Sequence, residues 1–122
     1  MPAKANGLIP MARVADVQRS IDFYKLMAME LRHSLKAPDG VLVWAHVACE
    51  GAELMFTRGD AVAADQQGVL FYLYTPDVIA LRERLLAAGI EVSAITYPPY
   101  MPKGEICLND PDGYSLLIGQ GD

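Results

Sequence analysis

Residues 13–24 read RVADVQRSIDFY, and this stretch decides how the first half of the chain is interpreted. An apolar run of strand length, residues 8–14, leads into it. Asp16 then offers a side-chain oxygen to the free backbone amides of a helix start. Apolar residues follow at helical spacing and predict one buried face, made of Val17, Ile21, Tyr24 and Ala28.

The same pattern returns in the second half of the chain. A second apolar run, residues 68–74, is followed by TPDV at residues 75–78. Thr75 is the predicted cap, Pro76 suits the first helical position, and Gly89 suits the left-handed end of the helix. The halves also close alike, with GAELMFTRGD at residues 51–60 and GYSLLIGQGD at residues 113–122. The chain is therefore interpreted as two copies of one unit, too few for a solenoid.

Each copy is predicted to run strand, helix and three further strands. The later strands are expected at residues 29–35, 41–49 and 52–58 in the first copy and at residues 90–96, 104–108 and 114–119 in the second. Between two of these lies YPPYMP, residues 97–102, whose prolines lack the amide donor that a strand ladder needs. We expect a single domain over residues 1–122, with unit one at about 8–58, a linker at about 59–67 and unit two at about 68–120.

Composition limits the classes of function. The 122 residues are 52% hydrophobic and 20% charged, which fits one folded domain. The net charge is −5 and the ten Lys and Arg residues are scattered, which argues against a nucleic-acid partner. No apolar run is long enough to span a membrane. The two cysteines are expected to be free thiols in a reducing cytoplasm.

The order βαβββ, twice, resembles the vicinal oxygen chelate superfamily of glyoxalase I, extradiol dioxygenases, fosfomycin-resistance enzymes and bleomycin-binding proteins. Residues 13–24 are similar to the strand-to-helix entry of bacterial glyoxalase I, and DPDGY at residues 110–114 matches the turn before the last strand. The resemblance covers nearly the whole chain and is closest to the metal-free, bleomycin-resistance-like branch. It implies an α+β fold in which two tandem βαβββ units form a curved mixed sheet with a concave cleft. It also implies a homodimer.

In metal-dependent members of that superfamily four ligand positions meet in the cleft. The resemblance places them on Ile9, Glu53, Leu70 and Leu117. A catalytic divalent ion takes three or four nitrogen, oxygen or sulfur ligands, and three of these side chains supply none. We therefore expect no metal and no other cofactor.

Strand alternation predicts which side chains line the cleft. The predicted ligand-binding residues on the strands are Met11, Arg13, Trp44, His46, Glu53, Met55, Thr57, Tyr72, Tyr74, Cys107 and Ser115. Glu105 is expected on the same face as Cys107. The loop adds Tyr97, Tyr100 and Met101, and it resembles the lid-like segment of the bleomycin-binding branch.

Several of these residues have a second interpretation. Trp44 fits a ligand contact or a core residue, and Tyr72 and Tyr74 fit a ligand contact or a dimer interface. Met11 and Met55 also serve as gap-filling core residues. The loop of residues 97–101 is either a lid or a simple crossover.

Glu53 is a carboxylate among apolar residues, which is costly unless it is paired or protonated. An ion pair with Arg13, a contact to a cationic ligand, and a general-base role are all open. His46 could pair with Glu53 as part of a general base, although no nucleophile motif accompanies them. His33 is predicted to lie on the surface.

The leading hypothesis is a non-catalytic protein that binds or sequesters an aromatic or amphipathic small molecule in a metal-free cleft. The alternative is a lyase, isomerase or dioxygenase-type enzyme that uses Glu53, with or without a divalent metal. A third interpretation is a scaffold that binds only protein. Removing Glu53 separates the first two, because an enzyme would lose turnover.

Overall fold

The structure, a computed structural model, describes residues 3–121. Met1, Pro2 and Asp122, which the predicted domain includes, lie outside the described residues. Internal contacts divide the chain into two units, the first ending at Asp60 and the second beginning at Ala61. This boundary falls within residues 59–67, where the structure has one short 3-10 turn at Ala64–Gln66.

Unit 1 is a four-stranded sheet covered by one helix. Its elements are β1 (Met11–Val14), α1 (Val17–Lys25), β2 (Glu30–Lys36), β3 (Leu42–Cys49) and β4 (Ala52–Arg58). The strand order is β1-β4-β3-β2, with β1 parallel to β4 and the other pairs antiparallel. Helix α1 packs on β3, β2 and β4.

The core of unit 1 lies between α1 and the sheet. The helix begins where the Asp16 carboxylate accepts a hydrogen bond from the Arg19 backbone amide, as the sequence predicts. Tyr24 is fully buried and its ring lies 5.4 Å from that of Phe56 on β4. Residues of β1, β3 and β4 on the helix side fill this core, so the opposite face of the sheet is left without a helix.

Helix α1 ends one turn earlier than predicted. Ala28, expected on the buried helical face, is exposed and has a left-handed backbone with φ of 65°. The amide of Ala28 donates to the Lys25 carbonyl and that of Met29 to the Tyr24 carbonyl, which together form a Schellman motif. This motif turns the chain into β2, and it leaves Ala28 in a conformation that suits glycine.

Strand β2 lies at the edge of its sheet. All seven of its residues are exposed, including His33 and Leu35. Its pairing with β3 shifts register between Leu31 and His33 and again between Leu35 and Lys36. The predicted surface position of His33 is therefore confirmed.

Unit 2 repeats the plan with one strand fewer. Its elements are β5 (Phe71–Thr75), α2 (Val78–Ala87), β6 (Glu105–Asn109) and β7 (Ser115–Gln120). The order is β5-β7-β6, with β5 parallel and β6 antiparallel to β7. Both sheets are mixed, which confirms the predicted α+β class.

The predicted start of α2 is wrong by two residues, whereas its end is confirmed. Asp77 is the cap, because its carboxylate accepts from the Ala80 amide, while the Thr75 hydroxyl accepts only from the Asp77 amide. Pro76 consequently precedes the cap. Gly89 has φ of 82° and closes α2 with the same Schellman motif that Ala28 forms in unit 1.

The strand predicted at residues 90–96 does not form. Within this segment only Thr96 makes a β-bridge, to Glu105. Nearby, the Ser93 amide donates to the Cys107 carbonyl, but the Cys107 amide donates to the Ser93 hydroxyl rather than to a backbone carbonyl. The Ser93 carbonyl instead accepts a hydrogen bond from the Arg82 side chain. A side-chain oxygen thus replaces a strand carbonyl, and the edge beside β6 stays irregular.

No helix within residues 3–121 has the length and apolar character that a membrane crossing requires.

Candidate functional site

The helix-free face of the unit 1 sheet gathers most of the residues predicted there. Strand register sets Met11 opposite Met55 and Met55 opposite His46, and it sets Arg13 opposite Thr57 and Thr57 opposite Trp44. Directly opposed residues project from the same face of a sheet. Their neighbours Ala12, Phe56 and Ala45 are buried on the helix side. These six predicted residues therefore share one face.

Glu53 is paired on this face with His46. The Nε2 atom of His46 lies 3.0 Å from Oε1 of Glu53, and the Glu53 side chain is 50% exposed. The His46 ring also stacks on the His33 ring, with centroids 5.9 Å apart. Of the alternatives open for Glu53, the structure shows the contact with His46; the register places Arg13 opposite Thr57, four residues along β4 from Glu53, and the Arg13 side chain lies beside Gly59.

The helix-free face of the unit 2 sheet gathers the second set. Tyr72 lies opposite Leu117, which lies opposite Cys107. Tyr74 lies opposite Gly119, which lies opposite Glu105. Alternation adds Ser115 to the same face, while the intervening residues Leu116, Ile118 and Ile106 are buried on the other.

Glu105 is the centre of this second face. Its side chain is almost fully buried, with 6% exposure, and both carboxylate oxygens accept hydrogen bonds from phenols. The Tyr72 hydroxyl donates to Oε2 at 2.6 Å, and the Tyr100 hydroxyl donates to Oε1 at 2.9 Å. Tyr100 belongs to the proline-rich loop, so Glu105 fastens that loop to the sheet.

Both phenols are perturbed by this arrangement. Burial raises the pKa of Tyr72 well above its usual value of 10.0, and the hydrogen bond to Glu105 and the carboxylate charge raise it further. The hydrogen bond to Glu105 is the main cause that raises the pKa of Tyr100. A negative charge beside a phenol disfavours the phenolate, so both hydroxyls remain donors.

Gly119 makes the contact between Tyr72 and Glu105 possible. These two residues lie on β5 and β6, on either side of β7. A Cβ atom at position 119 would lie 2.8 Å from the Tyr72 hydroxyl and 2.6 Å from the Met101 Cε atom. The missing side chain therefore leaves room for the phenol to reach across β7 and for Met101 to pack over it.

Tyr97, the third loop residue predicted to bind a ligand, does not join Tyr100 and Met101 beside Glu105. Its side chain is exposed and lies against Gly104, where an added Cβ would be 3.5 Å from the ring. The Met101 amide donates to the Pro98 carbonyl, which closes a tight turn around Tyr100. The loop thus brings Tyr100 and Met101, rather than Tyr97, to the predicted face.

The residues at the four family metal positions do not fit a divalent ion. Ile9, Leu70 and Leu117 carry no donor atom, and the Glu53 carboxylate is engaged by His46. In the described part of the chain, no three His, Cys, Asp or Glu side chains are arranged to hold a metal. We therefore derive no chemical step through a metal.

Glu105 lies on the face that strand alternation predicts, but it is not among the predicted ligand-binding residues. The signal in the sequence is one acidic residue followed by three apolar ones, in EICLN at residues 105–109. The sequence does not show that the hydroxyl of Tyr72, two strands away in the sheet, is the hydrogen-bond partner of Glu105. His33 is predicted only to lie on the surface, and its ring in addition stacks on His46.

The family model of the Glyoxalase/Bleomycin resistance protein/Dioxygenase superfamily matches residues 9–118 of this chain. The chain belongs to this superfamily, and the resemblance inferred from the duplicated unit is confirmed. A comparison with curated protein sequences gave no match.

Solved structures with the same fold include proteins that bind antibiotics. An antibiotic-binding protein from Streptomyces sp. CB03234, TnmS3, is 25% identical with a TM-score of 0.71, over 98% of this chain and 100% of that one. A bleomycin-binding protein complexed with bleomycin is 15% identical with a TM-score of 0.74, over 97% of this chain and 100% of that one.

A third neighbour is a fosfomycin resistance protein, FosX, from Listeria monocytogenes complexed with Mn(II). It is 17% identical with a TM-score of 0.76, over 98% of this chain and 93% of that one. At 15% and 17% identity, the likeness to the bleomycin-binding and fosfomycin resistance proteins extends to the fold alone.

Proposed function

We propose that this protein binds a small aromatic or amphipathic molecule and sequesters it without chemical change. The observation that carries the proposal is the make-up of the two helix-free sheet faces. They present aromatic rings and thioethers around a few polar groups, as small-molecule sites generally do. These side chains are Trp44, Met11 and Met55 on one sheet, and Tyr72, Tyr74, Tyr100 and Met101 on the other.

The chemistry of the donor groups favours binding over catalysis. Three of the four family metal positions are apolar, and both carboxylates on the two faces are already occupied by neighbours. Glu53 contacts His46, and Glu105 accepts from two phenols. The antibiotic-binding and bleomycin-binding neighbours add support, because they share this fold.

The second candidate function is an enzyme that uses Glu53 as part of a general-base pair with His46. The observation that favours it is the 3.0 Å contact between His46 and Glu53 on an accessible face. A histidine held by a carboxylate is a common way to orient a proton acceptor. In this second function the protein would be a lyase, isomerase or dioxygenase-type enzyme.

Trp44 makes the binding proposal directly testable, because it is the only tryptophan and lies on the proposed face. The protein would be titrated with bleomycin and with a panel of planar aromatic antibiotics while Trp44 fluorescence and heat release are followed. We expect saturable binding, with the ligand recovered unchanged by mass spectrometry. If none of the compounds shows saturable binding, the proposal is contradicted.

A Glu53→Gln variant separates the two candidate functions. For a binder, we expect this variant to lose at most part of its affinity. A ligand that is converted by the wild type and left intact by Glu53→Gln would establish the enzyme instead. Glu50→Gln, which makes the same charge change at an exposed position in the turn between β3 and β4, is the matched control.

We also propose a homodimer located in the cytoplasm. The dimer follows from what is common among relatives, and an isologous two-fold contact is the usual arrangement. The location is supported by two cysteines, Cys49 and Cys107, that are free thiols. Native mass spectrometry of protein purified without a chelator gives the subunit count, and a monomer mass at micromolar concentration would contradict the dimer.

A further inference from the structure

We infer that the group formed by Tyr72, Tyr74, Tyr100 and Glu105, here called the tyrosine–glutamate group, binds the positively charged part of an organic cation. The ligand class is an aromatic or amphipathic molecule that carries an ammonium or similar cationic group. The inference rests on the proposed function and names the chemistry of its ligand.

The first step is the charge at the centre of the group. Glu105 accepts hydrogen bonds on both oxygens from neutral phenols, as an ionised carboxylate does. The side-chain contacts recorded for Glu105 within residues 3–121 are these two hydrogen bonds from uncharged phenols, and neither brings a cation to the carboxylate. A nearly buried carboxylate without a cation is costly, so an external cation has a favourable place to go.

The second step is the surface above this charge. Tyr74 is 70% exposed and Tyr100 is 65% exposed, so their rings are open to a ligand. The rings of Tyr72 and Tyr74 lie 5.2 Å apart at 46°, so they present two inclined walls. A cation within about 6 Å of a ring centroid is attracted by the ring quadrupole.

The third step couples the carboxylate to the rings. A phenol whose hydroxyl donates a hydrogen bond to a carboxylate gains electron density in its ring. This strengthens the attraction between the face of the ring and a cation. Glu105 is therefore a positioning residue that acts through Tyr72 and Tyr100. The hydrogen bond from Tyr100 also holds the loop in place, so less conformational entropy is lost when a ligand binds.

Two probes of equal shape test the charge requirement. Hydroxyphenyl-trimethylammonium and tert-butylphenol differ only in a cationic nitrogen in place of a quaternary carbon. We expect calorimetry to give the cation about a three- to thirtyfold higher affinity than the neutral probe, the range of a cation–π contact. Added salt should reduce this preference.

Variants of the chain assign the preference to this group. Glu105→Gln keeps the side-chain shape but removes the charge, and we expect it to bring the two affinities together. Glu83→Gln makes the same charge change in the same unit on exposed helix α2, and it should leave the preference intact. If Glu105→Gln fails to fold, Tyr74→Ala gives the same test, since it removes an exposed ring without touching Glu105.

The possible outcomes separate the two proposals. Equal affinity of the wild type for both probes would overturn the cation site while leaving the binding of aromatic molecules standing. A cation preference that survives both Glu105→Gln and Tyr74→Ala would place the cation elsewhere and also overturn the inference. Binding of neither probe would count against the proposed function as well.

Discussion

Replacing Tyr72 with phenylalanine tests the buried hydrogen bond in the tyrosine–glutamate group. Tyr72→Phe removes only the hydroxyl that donates to Glu105 Oε2 at 2.6 Å. The ring can stay in place, because its packing does not depend on the oxygen. The carboxylate, which is 6% exposed, then has no donor at one of its two oxygens.

The expected cost follows from the kind of bond that is lost. Hydrogen bonds to charged groups contribute about 1.5–3 kcal/mol to stability. The 2.6 Å distance is in the short range typical of a hydroxyl bound to a carboxylate, so we expect a loss of about 2 kcal/mol. A small domain has only about 5–15 kcal/mol of stability in total, so the loss is readily measured.

Urea unfolding followed by circular dichroism measures this loss. With a typical slope of about 1–3 kcal/mol per molar urea, the midpoint should fall by roughly 1 M. Tyr100→Phe is the matched variant, since it removes the donor to Oε1 from an exposed loop residue. Because water can replace that donor more easily, we expect a cost below about 1 kcal/mol.

A double-mutant cycle gives the decisive comparison. Glu105→Gln should cost less in the Tyr72→Phe background than in the wild type, because the two residues share one interaction. A Tyr72→Phe loss below about 0.5 kcal/mol, or strictly additive effects in the cycle, would refute the reasoning.

Three further predictions concern Tyr72, Gly119 and the left-handed residues at the two helix ends. The phenolate absorbance of the wild type minus that of Tyr72→Phe should rise only above pH 10, because burial and Glu105 raise the pKa of Tyr72 above 10.0. Above about pH 10 the folded state keeps a proton that the unfolded chain releases, so stability should fall as the pH rises. A difference in absorbance that titrates at or below pH 10 would contradict this. Gly119→Ala should cost about 1–3 kcal/mol in urea unfolding and lower the pKa of Tyr72 towards 10, because the new methyl group displaces the Tyr72 hydroxyl from Glu105. An unchanged midpoint would mean that the gap is not needed. Ala28→Gly should stabilise the protein by about 0.5–1 kcal/mol and Gly89→Ala should destabilise it by about 1 kcal/mol, since both positions are left-handed; effects of the same sign on thermal unfolding would contradict the shared cap geometry.

The fold was predictable because the pattern is repeated and the strand period is strict. Alternation of apolar residues separated Leu54 and Phe56 from Glu53 and Met55, and the register agrees. Where prediction was wrong, a local contact decided the outcome. Asp77 competes successfully with Thr75 for the cap of α2, and the Schellman turn at Ala28 ends α1 early.

The strand expected at residues 90–96 shows a second limit. Its composition suits a strand, but its partner β6 is reached through a side-chain contact of Ser93. Such a contact replaces a ladder bond without leaving a trace in the apolar pattern.

The faces of the candidate site could be predicted, whereas the pairings on them could not. The partner of Glu53 depends on the hairpin register, which sets Cys49 opposite Ala52 and makes His46 a diagonal neighbour of Glu53. The partner of Glu105 depends on the pairing of three strands, β5 with β7 and β7 with β6, and on the space that Gly119 leaves by having no side chain. Pattern reasoning gives the face of one strand, but a pairing requires the relative positions of several strands.

The uneven pairing of β2 has a consequence for how the protein behaves at high concentration. An exposed edge strand is a template on which a foreign strand can grow, and Leu31 and Leu35 would make this edge attractive. Its two register shifts bend the backbone, so an incoming strand cannot match a continuous row of amides and carbonyls. Charged Arg32 and Lys36 interrupt the apolar residues. The edge should therefore resist fibril growth even though its side chains are open to solvent.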